Sequence, residues 1–186
     1  MTKKHLLISL AIIVLAAGVL LAMGRIPFCK CGIVSVWSSD VTSNQQSQQL
    51  ADPYTFTHVL HGIVFYFLLW LIFGKRLTVG QRLLLAVGIE AAWEVFENTD
   101  FVINRYRSHT FSYDYYGDSV LNSVGDILAM MVGFWLSFKL PWWGSLLVFI
   151  GIDGILLLII RDSLVVNIIM LIHSFEGIKN WQLNAP

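Results

Sequence analysis

Three apolar stretches of this chain carry ionisable side chains at helical spacing: His58 and His61, then Glu90, Glu94 and Glu97, then Asp118, Asn122 and Asp126. An ionisable group in hydrocarbon is costly and usually serves a function, so these are the places where chemistry would be located. At about 3.6 residues per turn the glutamates fall in a narrow strip of one helix, and Asp118, Asn122 and Asp126 step down one side of another. The two histidines share a face. His58, His61 and Glu94 make a reasonable imidazole and carboxylate shell for a divalent cation such as Zn, Mn or Fe. If turnover occurs, His58 or His61 is the expected general base and Glu94 or Glu97 the acid or metal ligand. Glu90, Asp126 and Asp153 suit proton exchange. There is no His-Glu-x-x-His, no Gly-x-Ser-x-Gly and no phosphate-binding glycine loop, so the residues locate a site without naming a reaction.

Carboxylates gathered in such a layer cannot all stay charged, because desolvation and like charge both oppose ionisation. Arg105 and Arg107 could fold over the mouth and pair with Glu94, Glu97 or Asp118; with Asp118 and Asn122 they form the expected ligand-binding set. A cation or protons could serve instead. Any one of these residues could equally be a hydrogen-bonded pin between helices.

The elements that must position these groups are membrane helices. The chain has 186 residues, 56% of them hydrophobic and 13% charged, and a mean hydropathy of +0.70, outside the range of soluble domains. Lys plus Arg and Asp plus Glu balance at 12 each, leaving no basic field for nucleic acid. The expected fold is all-α: one polytopic membrane bundle over residues 1 to 186, with about five transmembrane helices near 6–24, 55–74, 80–99, 118–138 and 142–161. Residues 164–172 are too short to span and read as an interfacial or re-entrant C-terminal helix, with His173 and Glu176 beyond it solvated.

The run behind Lys3 and Lys4 is longer than a signal-peptide core and lacks a small-x-small site, so it reads as a retained helix. Asp52-Pro53 can open the second helix, and Asp118 or Ser119 can cap the fourth. Gly117 fits a turn, and Gly125 permits close approach of a neighbouring helix. Trp142 and Trp143 on one side, and Tyr113, Tyr115 and Tyr116 on the other, suit membrane interfaces. Cys29 and Cys31 are the only cysteines; two thiols two residues apart read as an exposed pair or a strained local bridge ahead of a metal site.

Positive charge ties between the two sides, but Lys3, Lys4, Lys75, Arg76 and Arg82 are dense and close to helix ends, which favours a cytoplasmic N-terminus and a periplasmic C-terminus. Residues 25–53 and 100–117 are then external loops. With about 1.5 Å of rise per residue, the histidines, Glu94, Glu97, Asp118 and Asn122 share a shallow outer layer, and Glu90, Asp126 and Asp153 a deeper one.

Cys29-Lys30-Cys31-Gly32, Asp52-Pro53-Tyr54-Thr55-Phe56-Thr57-His58 with His61-Gly62, Trp93-Glu94 with Glu97-Asn98, Arg105-Tyr106-Arg107, and Tyr116-Gly117-Asp118-Ser119 with Asn122-Ser123 and Asp126 resemble an uncharacterised bacterial family of multi-pass inner-membrane proteins of UPF/DUF type. The resemblance covers about residues 25 to 140 and implies a place, the bacterial inner membrane, without an activity. A fainter similarity is to VanZ-like proteins, whose helix-borne Glu, Arg and Asp-x-x-x-Asn run has counterparts in Glu90 or Glu94, Arg105 or Arg107, and Asp118 with Asn122. It implies an envelope setting by analogy of fold.

The leading functional expectation is a polar pocket near the outer leaflet that recognises or processes a lipid or lipid-linked envelope intermediate, with Arg105 and Arg107 meeting a phosphate. The alternatives are a small proton-coupled transporter or relay, and a non-catalytic assembly partner. The expected partners are membrane lipids, with an envelope protein or a second copy of the chain as further candidates, and no nucleic acid.

Overall fold

The computed structural model of the chain describes residues 2–41, 43, 45–110 and 115–183. Tyr113 lies outside them. Hydrophobic runs of about 20 residues satisfy their backbone polar groups within themselves only as helices, and the described residues form helices and loops with no strand. The long helices are α1 (Lys3–Ala22), α2 (Thr55–Phe73), α3 (Val79–Glu97), α5 (Val120–Lys139) and α6 (Trp142–Ile160); the short ones are α4 (Asp100–His109), α7 (Leu164–Ile172) and α8 (Glu176–Leu183). The helix α4 falls where an external loop was expected, and α8 extends the C-terminal region beyond the expected α7.

Four of these helices, α1, α2 with its following turn, α5 and α6, are long and apolar enough to cross a membrane. The chain is a membrane protein. Five such spans were expected, and α3 is the difference: it matches the others at 19 residues but carries Arg82, Glu90, Glu94 and Glu97. It packs against α1, α2 and α5, so its polar groups are enclosed by protein. Arg82 lies over the Tyr66 ring at 5.3 Å, which compensates part of its desolvation.

Leu69 of α2, Leu83, Ala86 and Val87 of α3, and Ile127, Met130 and Phe134 of α5 form the main core with Ile13 and Ala16 of α1. Helix α6 buries only Ser145 and Leu156 and turns Leu146, Leu147, Ile150 and Leu158 outward, as a lipid-facing helix should. The α2–α5 crossing depends on two missing side chains. A Cβ at Gly62 would lie 2.0 Å from the Met130 carbonyl oxygen, and one at Gly133 would lie 1.9 Å from that of Val59. Gly125 also admits a close neighbour, but that neighbour is the Leu50 carbonyl of a loop and not another helix.

The loop over residues 25–53 is built onto the start of α5. Backbone N–H groups of Ser119, Val120 and Leu121 donate to the carbonyls of Ser47, Ile26 and Pro27, satisfying donors that a helix start leaves open. Ser119 is the N-cap, its hydroxyl accepting from the Asn122 N–H at 3.1 Å. Asp52 accepts from the N–H groups of Tyr54, Thr55 and Ser47, so it serves the start of α2 as expected; burial nevertheless raises its carboxyl from the ordinary range. Cys29 and Cys31 are joined by a disulfide, the local bridge among the readings above. Trp142 and Trp143 are exposed at the α5–α6 turn, whereas Tyr115 is buried rather than interfacial.

Asp162, between α6 and α7, accepts from the Ser163 N–H, the Tyr54 hydroxyl and the Asn167 amide. Burial is the largest influence and lifts its carboxyl from 3.8 to about 6. A raised acid pKa favours the protonated folded state, so this contribution to stability is complete below about pH 3.8 and is lost as pH rises through about 6. By linkage, wild type relative to Asp162→Asn is expected to lose on the order of 3 kcal/mol across that window. Thermal melts of both proteins at pH 4, 5, 6 and 7.5 check this; parallel curves would refute it.

Candidate functional site

Helices α2, α3 and α5 bring their ionisable groups to one depth. His58 and His61 lie in the first two turns of α2, and Glu90 projects from the facing side of α3. The Nδ1 of His58 is 2.6 Å from Glu90 Oε1, and the Nδ1 of His61 is 3.1 Å from both Glu90 oxygens. An ionised carboxylate only accepts, so a proton on Nδ1 of each imidazole completes these hydrogen bonds. The rings stand edge to face with centroids 5.0 Å apart.

Glu94, one helical turn along α3, places Oε1 3.3 Å from His58 Nδ1, and Asp126 of α5 places Oδ2 3.7 Å from His58 Nε2. Glu94 is fully buried and Asp126 nearly so. Among the described residues neither Glu94 oxygen has a hydrogen-bond partner, and neither does Asp126 Oδ1. Above them Glu97 and Asp118 are served by neutral donors. The Tyr106 hydroxyl donates to Glu97 at 2.8 Å; Tyr115 and Asn98 donate to the two oxygens of Asp118, each at 2.9 Å. Burial raises the Tyr106 and Tyr115 hydroxyls above their ordinary range, which keeps them donors.

His58, His61, Glu97, Asp118 and Asp126 line a cavity of about 370 Å³, with Glu90 and Glu94 behind them. Its floor includes His58, His61, Glu97, Asp118 and Asp126, with Tyr106 at the edge; Val64, Phe65, Ile89, Trp93, Leu164 and Ile168 form an apolar wall. This size falls at the lower end of small-molecule sites.

Several expectations need correction. Glu90 and Asp126 do not form a separate deeper layer: Glu90 is hydrogen-bonded to both histidines and Asp126 stands 3.7 Å from His58, so the α2 and α3 ends are not level with each other. Asp153 is apart from the cluster, its Oδ1 accepting from the Val165 N–H at the start of α7. The transporter alternative thus loses the layer on which it rested. Arg105 donates to the carbonyls of Leu171 and Ile172, and Arg107 to that of Tyr115; among the described residues neither is ion-paired with Glu94, Glu97 or Asp118. Asn122 does not line the cavity, because its amide donates to the Gln49 carbonyl at 3.0 Å and anchors the loop.

Tyr106, Tyr115, Asn98 and Asn167 were not anticipated. A signal for Tyr106 existed: Val102, Ile103 and Tyr106 share one buried face of α4, a spacing that sets Tyr106 inward and the flanking arginines outward.

The family model described as "Protein of unknown function (DUF2585)" matches residues 20–184. The chain belongs to this DUF2585 family. Among its relatives are UPF0314 proteins of Paracoccus denitrificans, 50% identical over 92% of this chain and 88% of the relative, and of Sphingopyxis alaskensis, 44% identical over 95% and 93%. A UPF0314 protein of Brucella anthropi is 45% identical over 95% of this chain and 89% of its own length. No solved structure matches. The DUF2585 match extends beyond the 25-to-140 span of the motif resemblance and takes in α6, α7 and α8, so the helices that wall the cavity fall inside it.

Proposed function

We propose that this DUF2585 chain is a multi-pass protein of the bacterial inner membrane, N-terminus in the cytoplasm and C-terminus in the periplasm, whose chamber recognises a lipid or lipid-linked envelope intermediate near the outer leaflet. The observation that carries this is the two-sided cavity, with an apolar wall on α2, α3 and α7 and an ionisable floor on α2, α3 and α5. An amphiphile is the ligand whose chemistry matches both sides: acyl or prenyl carbons against Val64, Phe65 and Trp93, and a polar head toward His61, Glu97 and Asp118.

The dense Lys3, Lys4, Lys75, Arg76 and Arg82 close to helix ends support this orientation. His61 is the group suited to take a proton from a bound head group, because it lines the cavity and Glu90 fixes its tautomer. Arg107, exposed beside Tyr115, remains available to a phosphate approaching from the periplasmic side.

Val64→Trp places an indole in the chamber and tests the reading. Lipids extracted from the wild-type protein purified in mild detergent are expected to include one amphiphile class near one per chain, and the variant is expected to lose most of it at equal bulk phospholipid. Identical lipid profiles for the two proteins would refute the proposal.

A further inference from the structure

The donors around these acids are shared unevenly, and the shortfall falls at one point. Both histidines serve Glu90, Tyr106 serves Glu97, and Tyr115 and Asn98 serve Asp118. Glu94 keeps two buried oxygens, and Asp126 one, without a partner among the described residues. His58 Nε2 faces Asp126 at 3.7 Å, too far for a hydrogen bond. One ligand atom from each of His58, Glu94 and Asp126 lies within 4.8 Å of the other two.

A buried carboxylate without a donor calls for a counter-charge or a proton, and here two such acids converge beside an imidazole. The imidazole beside it is arranged as a ligand: Glu90 accepts from His58 Nδ1, which orients the ring and turns Nε2 toward Asp126, while Glu94 stands at 3.3 Å from Nδ1. Metal-bound histidines are commonly held by a carboxylate in this way.

We infer that His58 Nε2, Glu94 and Asp126 bind a divalent transition cation, with Glu90 as the positioning residue for His58 and one coordination position open to the chamber. One imidazole and two carboxylates suit Zn, Mn or Fe better than a soft or a purely oxygen-seeking ion. Asp126 thereby replaces His61 in the set expected from sequence, because His61 directs Nδ1 to the same Glu90 and faces the cavity. The cation also allows an anionic head group to approach a floor of acids. That last point rests on the lipid reading above, whereas the ligand set does not.

The test is zinc titration of the full chain in detergent after chelator stripping, with metal counted per chain after desalting. Wild type is expected to retain one Zn²⁺. Glu94→Gln and Asp126→Asn, near-isosteric amides, are expected to weaken binding at least tenfold, and Glu90→Gln by about 10- to 100-fold, the range for a group that orients a ligand. Cys29→Ser/Cys31→Ser is expected to bind like wild type. Should a variant fail to fold, cobalt loaded into the wild-type protein supplies the second readout, as imidazole and carboxylate coordination gives visible absorption that zinc displaces. Absence of stoichiometric zinc in wild type, or full retention in both Glu94→Gln and Asp126→Asn, overturns the site. Co-purifying amphiphile without zinc would leave the lipid reading standing alone; zinc without amphiphile would leave the cation site alone.

Discussion

Replacing His58 by leucine will destabilise the purified protein by about 3 to 5 kcal/mol, the range for removing one partner of a buried ionic pair. Among the described residues His58 is the one imidazole that lies within 4 Å of all three of Glu90, Glu94 and Asp126. Without it Glu94 and Asp126 lose the imidazole beside them, and Glu90 keeps only His61. Adding Glu90→Gln to His58→Leu should recover part of the loss, because the pair interacts and its two deletions are not additive. Thermal and denaturant melts of the two single variants and the double variant measure this coupling. A loss below about 1 kcal/mol for His58→Leu, with additive behaviour, would show that the histidine is only filler.

Gly133→Val will be the most damaging change outside the polar site. The new Cβ would start 1.9 Å from the Val59 carbonyl oxygen, so α2 and α5 must separate, and the reciprocal contact at Gly62 opens with them. Overpacking of a tight contact costs about 1 to 3 kcal/mol and occasionally more; backbone against backbone belongs at the upper end. The same crossing aligns His58 with Asp126, so this variant should also lose the site. Gly151→Ala is the control: nothing lies within 4 Å of its new Cβ, and alanine in a helix gains about 0.5 to 1 kcal/mol over glycine. Comparable melting temperatures for Gly133→Val and Gly151→Ala would contradict the close crossing.

Much of this architecture was legible from hydropathy. Boundaries of the long helices fall within a few residues of those expected, because apolar runs bounded by Pro53, Gly74, Pro141 and the positive turn at Lys75 and Arg76 leave little choice. Helical periodicity likewise put Glu90, Glu94 and Glu97 on one strip and paired the histidines. What periodicity along single helices could not supply was the offset between them. Depth was assigned one helix at a time as though all ends were level, and that separated Glu90 from the histidines that it binds. The arginines misled for another reason: charge suggested ion pairs with the acids, whereas planar guanidinium donors found carbonyls at nearby helix ends. Asn167 and Leu164 were missed because α7 was read for membrane contact alone, and its short length concealed that it closes a wall.

The amphiphile proposed above occupies the chamber between α2, α3, α5 and α7. A photo-crosslinking amino acid at position 93, where Trp93 lines the wall, compared with the same group at Leu158 on the lipid-facing side of α6, measures this most directly. In intact cells, irradiation followed by mass spectrometry of the adducts should give one enriched amphiphile class at position 93 and the bulk phospholipid mixture at position 158. The same bulk mixture at both positions, or no lipid adduct at 93, would contradict the account.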